Sequence, residues 1–121
     1  RVLRAVAPGF REMHPHGVDN YCCGGGSGFA IMSGNNFAQW RALVSGRLKL
    51  RQVLEAFAPE LDPAIPKYVC TPCSNCKGQF RDLFRAYGVW ERSRILYGGL
   101  VELVVNAMRA VKPGFIEWEF R

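Results

Sequence analysis

The chain has 121 residues, enough for one compact domain and too few for two independent hydrophobic cores. Hydrophobic residues make up 49% and charged residues 21%, which is close to an average globular domain and excludes collagen, a coiled coil or a disordered chain. The formal net charge of +6 suits nucleic acid, acidic proteins or small anions alike, so charge alone selects no partner.

Two further kinds of segment are not expected from this sequence. No apolar run approaches the ~20 residues of a membrane-spanning helix, and the first residues do not form a secretory signal. Basic residues are spread over residues 41–51, 77–85 and 92–94 and are expected to lie mostly on solvated helix faces. The RNP1, KH and Cys2His2 patterns of nucleic-acid-binding proteins are also missing. We therefore expect neither a membrane span nor a nucleic-acid function.

Hydrophobic spacing predicts an α/β chain in which short strands alternate with helices. In chain order, the predicted elements are a helix end at residues 1–6, a strand at 18–21, helices at 40–44 and 50–57, a strand at 68–70, a helix at 80–87, a strand at 94–97, a helix at 100–111 and a strand or docking tail at 116–120. This order predicts a small, mainly parallel sheet flanked by helices. Trp40 and Trp90 are expected to pack in the core or between helices.

Four of the five cysteines lie in two tight groups that carry most of the functional information. Cys22 and Cys23 are adjacent, and Cys73 and Cys76 form a C-x-x-C pair at the start of a predicted helix. An odd number of clustered cysteines argues against a disulfide framework and for a metal held by thiolates in a reducing compartment. Both groups follow predicted strands, so we expect them at the carboxyl edge of the sheet, where such sheets bind ligands. Cys70 lies within a predicted strand and is expected to be a small buried residue.

Three kinds of chemistry remain open for these thiols. An iron–sulfur cluster is favoured, because adjacent cysteines point in different directions and can reach different atoms of an extended cluster. A zinc ion would prefer a second C-x-x-C or a Cys/His pair, and purely structural or redox thiols are the third reading. His14 and His16, in a loop shortly before Cys22, are candidate ligands or proton donors or simply exposed loop residues.

A glycine-rich run follows the first cysteine group. Gly24, Gly25 and Gly26 are expected to let backbone N–H groups approach a negatively charged cluster. The run lacks the Gly-Lys-Ser/Thr ending of a P-loop, and Phe29 occupies the position of the last glycine of a dinucleotide-binding loop. A nucleotide-binding role is therefore not expected.

Three segments of the sequence also match the pattern of a known family: residues 21–28 (YCCGGGSG), 71–77 (TPCSNCK) and 99–103 (GLVEL). Together they resemble the cysteine-rich CCG domain of the heterodisulfide reductase B and D subunits and of related glycolate, lactate and glycerol-3-phosphate oxidoreductase subunits. Within that family the chain is most similar to the HdrD-like K subunits of sulfite-reductase-associated membrane complexes. The resemblance covers nearly the whole chain, and a Cys-Cys-Gly run followed by C-x-x-C is highly specific.

The resemblance implies a [4Fe-4S] cluster, noncubane in some members, with Cys22, Cys23, Cys73 and Cys76 as ligands. It implies an oxidoreductase that reduces a disulfide or trisulfide, on a small protein or a thiol compound, in dissimilatory sulfur metabolism. Electrons would come from other subunits of a membrane-associated complex, which would hold this cytoplasmic domain at the inner face of the cell membrane. The alternative is a structural zinc domain that serves as a basic protein-interaction module.

The chain departs from the family pattern at two points. The family has a further cysteine some tens of residues before the Cys-Cys pair, whereas this chain has none before Cys22. The stretch from Cys23 to Cys73 is also longer than is usual in the family. The first departure predicts that residues 1–121 form a single CCG-type domain in the C-terminal part of a larger subunit, with an upstream cysteine as a further candidate ligand.

Overall fold

A computed structural model describes residues 1–7, 9–31 and 37–108 of the chain. The elements, in chain order, are α1 (Val2–Val6), a 3-10 turn (Gly17–Asp19), α2 (Ala38–Trp40), a π-helical turn (Arg41–Ser45), α3 (Arg47–Phe57), a second 3-10 turn (Ala58–Glu60), β1 (Lys67–Cys70), α4 (Ser74–Ala86), α5 (Val89–Ser93), β2 (Ile95–Gly98) and α6 (Leu100–Ala107). The predicted strand or tail at 116–120 and the end of the helix predicted at 100–111 lie outside the described residues. Within the described part, no helix has the length and apolarity needed to cross a membrane.

The described sheet has two parallel strands, β1 and β2, joined by a crossover that contains α4 and α5. The register pairs Val69 with Tyr97 and Cys70 with Gly98. Both strands carry β-branched or aromatic residues between polar segments, which is why the sequence identifies them within a residue or two. The small α/β fold with a parallel sheet is confirmed.

The hydrophobic core lies between this sheet and the helices α3 and α4. Val53 from α3, Val69 from β1, Leu83 from α4 and Ile95 from β2 are each at most 1% exposed. All four residues occupy apolar positions of the helices and strands that the sequence predicts. The core therefore follows directly from the hydrophobic pattern. It anchors both β1 and α4, and therefore the loop between them.

The strand predicted at 18–21 is wrong. Residues Gly17–Asp19 form a 3-10 turn, Gly17 has a left-handed φ of +67°, and Val18 is fully exposed. A run with only two apolar residues, beside polar Asp19 and Asn20, has too little surface to bury against a neighbouring strand. Cys22 and Cys23 therefore follow a loop and not a strand, so the argument that placed them at the edge of the sheet fails for this pair.

Trp40 also departs from expectation. It is 51% exposed, and its ring centroid lies 6.3 Å from that of Phe29 in the glycine-rich segment. Trp90 is half-buried and stacks under the guanidinium of Arg94 at 4.7 Å. A π-helical turn follows Trp40 and is closed by the hydrogen bond from the Gly46 N–H to the Arg41 carbonyl. This turn directs Arg41, and not Trp40, into the interior.

Candidate cysteine site

Cys73 and Cys76 lie at the start of α4, as the sequence predicts. Cys73 is the N-cap residue in an extended conformation, and Cys76 lies in the first turn. The position of α4 is fixed by its buried face, which packs in the core through Phe80, Leu83 and Phe84. The two thiols are thus held on a rigid helix end, where unpaired backbone N–H groups carry partial positive charge.

The loop that carries Cys22 and Cys23 reaches the same place from a distant part of the chain. The Cys23 Sγ atom lies 3.0 Å from the Cys76 Sγ atom, and the Cys76 thiol interacts with Cys73 as well. All five cysteines are free thiols. Cys23 is only 6% exposed, whereas Cys22 is exposed and its sulfur accepts a hydrogen bond from the Gly24 N–H at 3.3 Å. Two sequence groups, 50 residues apart, therefore meet at one site through Cys23, Cys73 and Cys76.

Close packing of glycines holds this loop against the helices. Gly24 has a left-handed φ of +81°, and a Cβ atom there would collide with the Ser45 carbonyl oxygen. The Ser45 hydroxyl donates a hydrogen bond to the Gly24 carbonyl at 3.0 Å. A Cβ atom at Gly25 would lie 2.8 Å from the Cβ atoms of Ala30 and Gln79, whereas one at Gly26 would meet no atom of the described residues within 4 Å. Gly24 and Gly25 thus permit helix contact, and Gly26 borders open space.

A network of buried polar side chains holds the glycine-rich loop in place. Arg41, which is fully buried, donates hydrogen bonds to the Gln79 side chain and to Asp82 Oδ2, the latter at 2.6 Å. Gln79 in turn donates to the Arg41 carbonyl at 3.2 Å. The guanidinium also lies over the ring of Phe29, 5.8 Å from its centroid. These contacts tie the π-helical turn, α4 and the glycine-rich loop into one unit.

The pKa values of the two α4 cysteines shift in opposite directions. The backbone N–H groups of Cys76 and Asn75 lower the pKa of Cys73, which is exposed. Burial, and then the neighbouring Cys23 and Cys73, raise the pKa of Cys76 to about 12. An accessible sulfur that favours the thiolate therefore lies beside a sheltered sulfur that favours the thiol.

Lys49 is a residue of this site that sequence reasoning missed. It is 5% exposed, and its ammonium donates a hydrogen bond to Asn20 Oδ1 at 2.7 Å and another to the Gln52 side chain. Burial lowers the pKa of Lys49, while the thiols of Cys23, Cys76 and Cys22 raise it. Lys49 is one of several basic residues in 41–51. Nothing in the sequence distinguishes it from a basic residue on a solvated helix face.

The remaining sequence candidates lie outside the cluster of three thiols. Cys70 ends β1, is half-buried, and lines a separate cavity of about 510 Å³ together with His16. Burial and the charge of Glu102 raise the pKa of Cys70. His14 and His16 are both exposed, with ring centroids 5.2 Å apart. Cys70 is thus half-buried and not fully buried as the sequence predicts, and its role as a non-ligand stays a prediction.

The groups that thiolates bind require different arrangements of the cysteine sulfurs. Among residues 1–7, 9–31 and 37–108, no three His, Cys, Asp or Glu side chains are arranged to hold a single metal ion. Two thiolates on a tetrahedral zinc ion lie about 3.8 Å apart, because Zn–S bonds are about 2.3 Å long, so the Cys23 and Cys76 sulfurs at 3.0 Å would have to separate. Thiolates bound to different iron atoms of a cluster would also have to lie farther apart than 3.0 Å, so this distance favours neither group, and the donor chemistry of cysteine thiolates from two segments suits both.

Comparisons with protein families, curated proteins and solved structures found no match to this chain.

Proposed function

We propose that this chain is the iron–sulfur module of a heterodisulfide-reductase-like oxidoreductase, which reduces a disulfide or trisulfide substrate. The observation that carries the proposal is the meeting of Cys23 with Cys73 and Cys76, from segments 50 residues apart in sequence. Bringing these sulfurs together orders the loop, and that ordering costs conformational entropy that some interaction has to offset. Binding a shared group is a physical reason for that arrangement.

Cys22, Cys23, Cys73 and Cys76 would hold a [4Fe-4S] cluster, and among the described residues nothing fills the space at Gly26, which a ligand or partner could approach. The cluster, when bound, supplies one-electron transfer at a potential set by burial and by hydrogen bonds to its sulfurs. The protein contributes a rigid helix end, the Gly24 N–H directed at sulfur, and the Lys49 ammonium. Cys23 is only 6% exposed, so water has little access to that side of the site.

Reduction of a substrate disulfide consumes two electrons and two protons and yields two thiols. The electrons would come one at a time from redox carriers on partner subunits of a membrane-associated complex. The substrate would be a small protein or a thiol compound that bears the disulfide or trisulfide. Such partners would keep this domain peripheral at the inner face of the cell membrane, in dissimilatory sulfur metabolism.

Metal and sulfide analysis of the anaerobically purified chain tests the proposal. We expect about four iron and four acid-labile sulfide per chain and a broad absorption band at about 400 nm. Cys76→Ser should remove most of the iron, whereas the matched control Cys70→Ser, in the neighbouring strand, should retain it. One zinc per chain without sulfide would contradict the proposal and favour a structural zinc domain that binds proteins through its basic surface.

Thiol–disulfide exchange without a metal is a second candidate, favoured by the opposite pKa shifts of Cys73 and Cys76. The Cys73 thiolate would attack a substrate disulfide, release one thiolate and form a mixed disulfide. Cys76 would then displace the second thiol and leave a Cys73–Cys76 disulfide, which a partner dithiol would reduce. Metal-free chain that reduces oxidised glutathione in the presence of dithiothreitol, with activity lost in Cys73→Ser and kept in Cys70→Ser, would support this candidate.

A further inference from the structure

An exposed apolar surface lies on the helical segment that leads into α3. Five large apolar side chains of this segment are between 51% and 58% exposed: Phe37, Trp40, Leu43, Val44 and Leu48. Trp40, Val44 and Leu48 follow one another at intervals of four residues, so they form a row along one side of the segment. These five side chains are called the apolar face below.

The same segment turns two of its three cations towards the interior. Arg41 is fully buried against Gln79 and Asp82, and Lys49 is also buried. In an ordinary surface helix the apolar side chains face the core and the charged ones face water. Here the large apolar side chains of residues 37–48 face outwards instead. A contiguous exposed apolar patch of this kind marks an interaction surface.

The sequence around the apolar face carries only positive charge. Residues 20–54 contain no Asp or Glu and four cations, namely Arg41, Arg47, Lys49 and Arg51. Arg47 and Arg51 are exposed, and Arg51 also pairs with Glu55, one turn further along α3. By charge complementarity, the partner of this face should combine an apolar layer with negative charge.

The composition of the face favours a lipid surface over a folded protein. An interface with a folded protein has a polar rim and carries about ten direct hydrogen bonds. Of the exposed side chains in residues 37–48, only Gln39 and Arg47 are polar. Helices that lie in the membrane interface instead combine Trp, Phe and Leu on one side with Arg or Lys beside them.

We propose that the apolar face binds the surface of a membrane that contains anionic lipids. Trp40, Val44 and Leu48 insert at the level of the headgroups, and the arginines beside them attract the lipid phosphates. Ser45 of this segment binds the Gly24 carbonyl at 3.0 Å, so the cysteine-bearing loop is attached to the segment that contacts the membrane. The proposal does not depend on which group the cysteines bind.

Sedimentation of the full chain with lipid vesicles tests this assignment. Vesicles of mixed phosphatidylglycerol and phosphatidylcholine should bind the chain about tenfold or more tighter than phosphatidylcholine alone, because each exposed arginine is attracted to an anionic surface. Binding should weaken in about 0.5 M NaCl, which screens that attraction. Val44→Asp, which places a charge in the middle of the row, should weaken binding by about tenfold or more.

Val101→Asp is the matched control. Val101 is 70% exposed on α6 and lies outside the apolar face, and its replacement changes the net charge by the same amount. This variant should bind anionic vesicles within about twofold of the wild type. Both substitutions change exposed side chains, so both variants should keep the wild-type melting temperature.

The fluorescence of Trp40 reports insertion directly. In a chain that carries Trp90→Phe and Trp118→Phe, anionic vesicles should shift the emission of Trp40 to shorter wavelength, because the ring passes from water into the lipid interface.

Three results would overturn the proposal. One is a wild-type chain that does not bind anionic vesicles, and another is equal binding by the Val44→Asp and Val101→Asp variants. The third is self-association of the free chain, measured by sedimentation velocity, that Val44→Asp abolishes, because the apolar face would then join two copies of this chain.

Discussion

Three charged side chains in the described part of the protein are buried, and each is compensated differently. Arg41 pairs with the Asp82 carboxylate, Lys67 donates to two backbone carbonyls, and Lys49 is held by two neutral amides next to the cysteine sulfurs. The sequence assigns the basic residues of 41–51 to a solvated face, which is wrong for Arg41 and Lys49. Helical periodicity identifies the buried face of a helix from its apolar residues. It therefore cannot identify a cation that is buried because other side chains or carbonyls bind it.

Replacing Arg41 by Met should lower the free energy of unfolding at pH 7 by about 3 kcal/mol, because it leaves the Asp82 carboxylate without its buried partner. Burial raises the pKa of Asp82, but Arg81 and Arg41 outweigh it and the net shift is downward. The stability that this pair contributes is therefore present above the ordinary aspartate pKa and lost as the pH falls through the depressed value. Urea unfolding at pH 7 and at about pH 3 measures the penalty, which should shrink in acid.

The exposed Arg51–Glu55 pair supplies the control for this experiment. Arg51→Gln should leave the unfolding free energy unchanged at both pH values, because exposed pairs contribute little. A penalty for Arg41→Met that is the same at both pH values would indicate lost packing and not lost charge compensation.

At the scale of elements, the site depends on how the glycine-rich loop packs on α4 and on the residues before α3. The predicted helices 50–57 and 80–87 and the strands 68–70 and 94–97 are confirmed, because each has a hydrophobic face that must be buried. The loop has no such face. Its position is decided by the Ser45–Gly24 hydrogen bond and by the close approach of Gly25 to α4, neither of which has a periodic signal in the sequence.

Gly25→Ala should destabilise the protein by about 1–3 kcal/mol, because the new methyl group would overlap Ala30 and Gln79. Gly26→Ala is the matched control: it adds the same atom one residue later into open space and should change stability by less than about 0.5 kcal/mol. Thermal and urea unfolding of both variants measures the difference. Equal stability of the two variants would mean that the loop does not pack on α4 as described.

At the scale of the whole molecule, a group bound by these thiols would join two parts of the chain that are otherwise linked through packing. Cys23 belongs to the loop, Cys76 to the first turn of α4, and Cys73 is the N-cap residue of α4. A group that binds only the folded chain stabilises it in proportion to its affinity, and metal thiolate sites are formed only in the folded state. Folding and binding should therefore be coupled in this protein.

Removing the bound group with a chelator under anaerobic, reducing conditions should lower the melting temperature by about 10 °C or more. Calorimetry before and after chelation measures the shift. The Cys76→Ser chain should melt at the same temperature in both conditions, whereas Cys70→Ser should behave as the wild type. A melting temperature of the wild type that does not respond to chelation would contradict a stabilising bound group.

By itself, the sequence determined the α/β class, the two strands, the helices α3 and α4 and the position of the C-x-x-C pair at the start of α4, but it missed α5. Those features follow from hydrophobic spacing and helix-start chemistry, which act over a few residues. The sequence also selected Cys22, Cys23, Cys73 and Cys76 as a group, of which the structure joins Cys23 to Cys73 and Cys76. The reason that the sequence offered for the convergence, two strands ending at one edge, was wrong for the first pair. Only the tertiary structure decided that a loop, fixed by Gly25, Ser45 and Lys49, brings Cys23 to Cys76. Contacts of that kind join residues tens of positions apart and depend on shape and buried charge, which leave no local pattern in the chain.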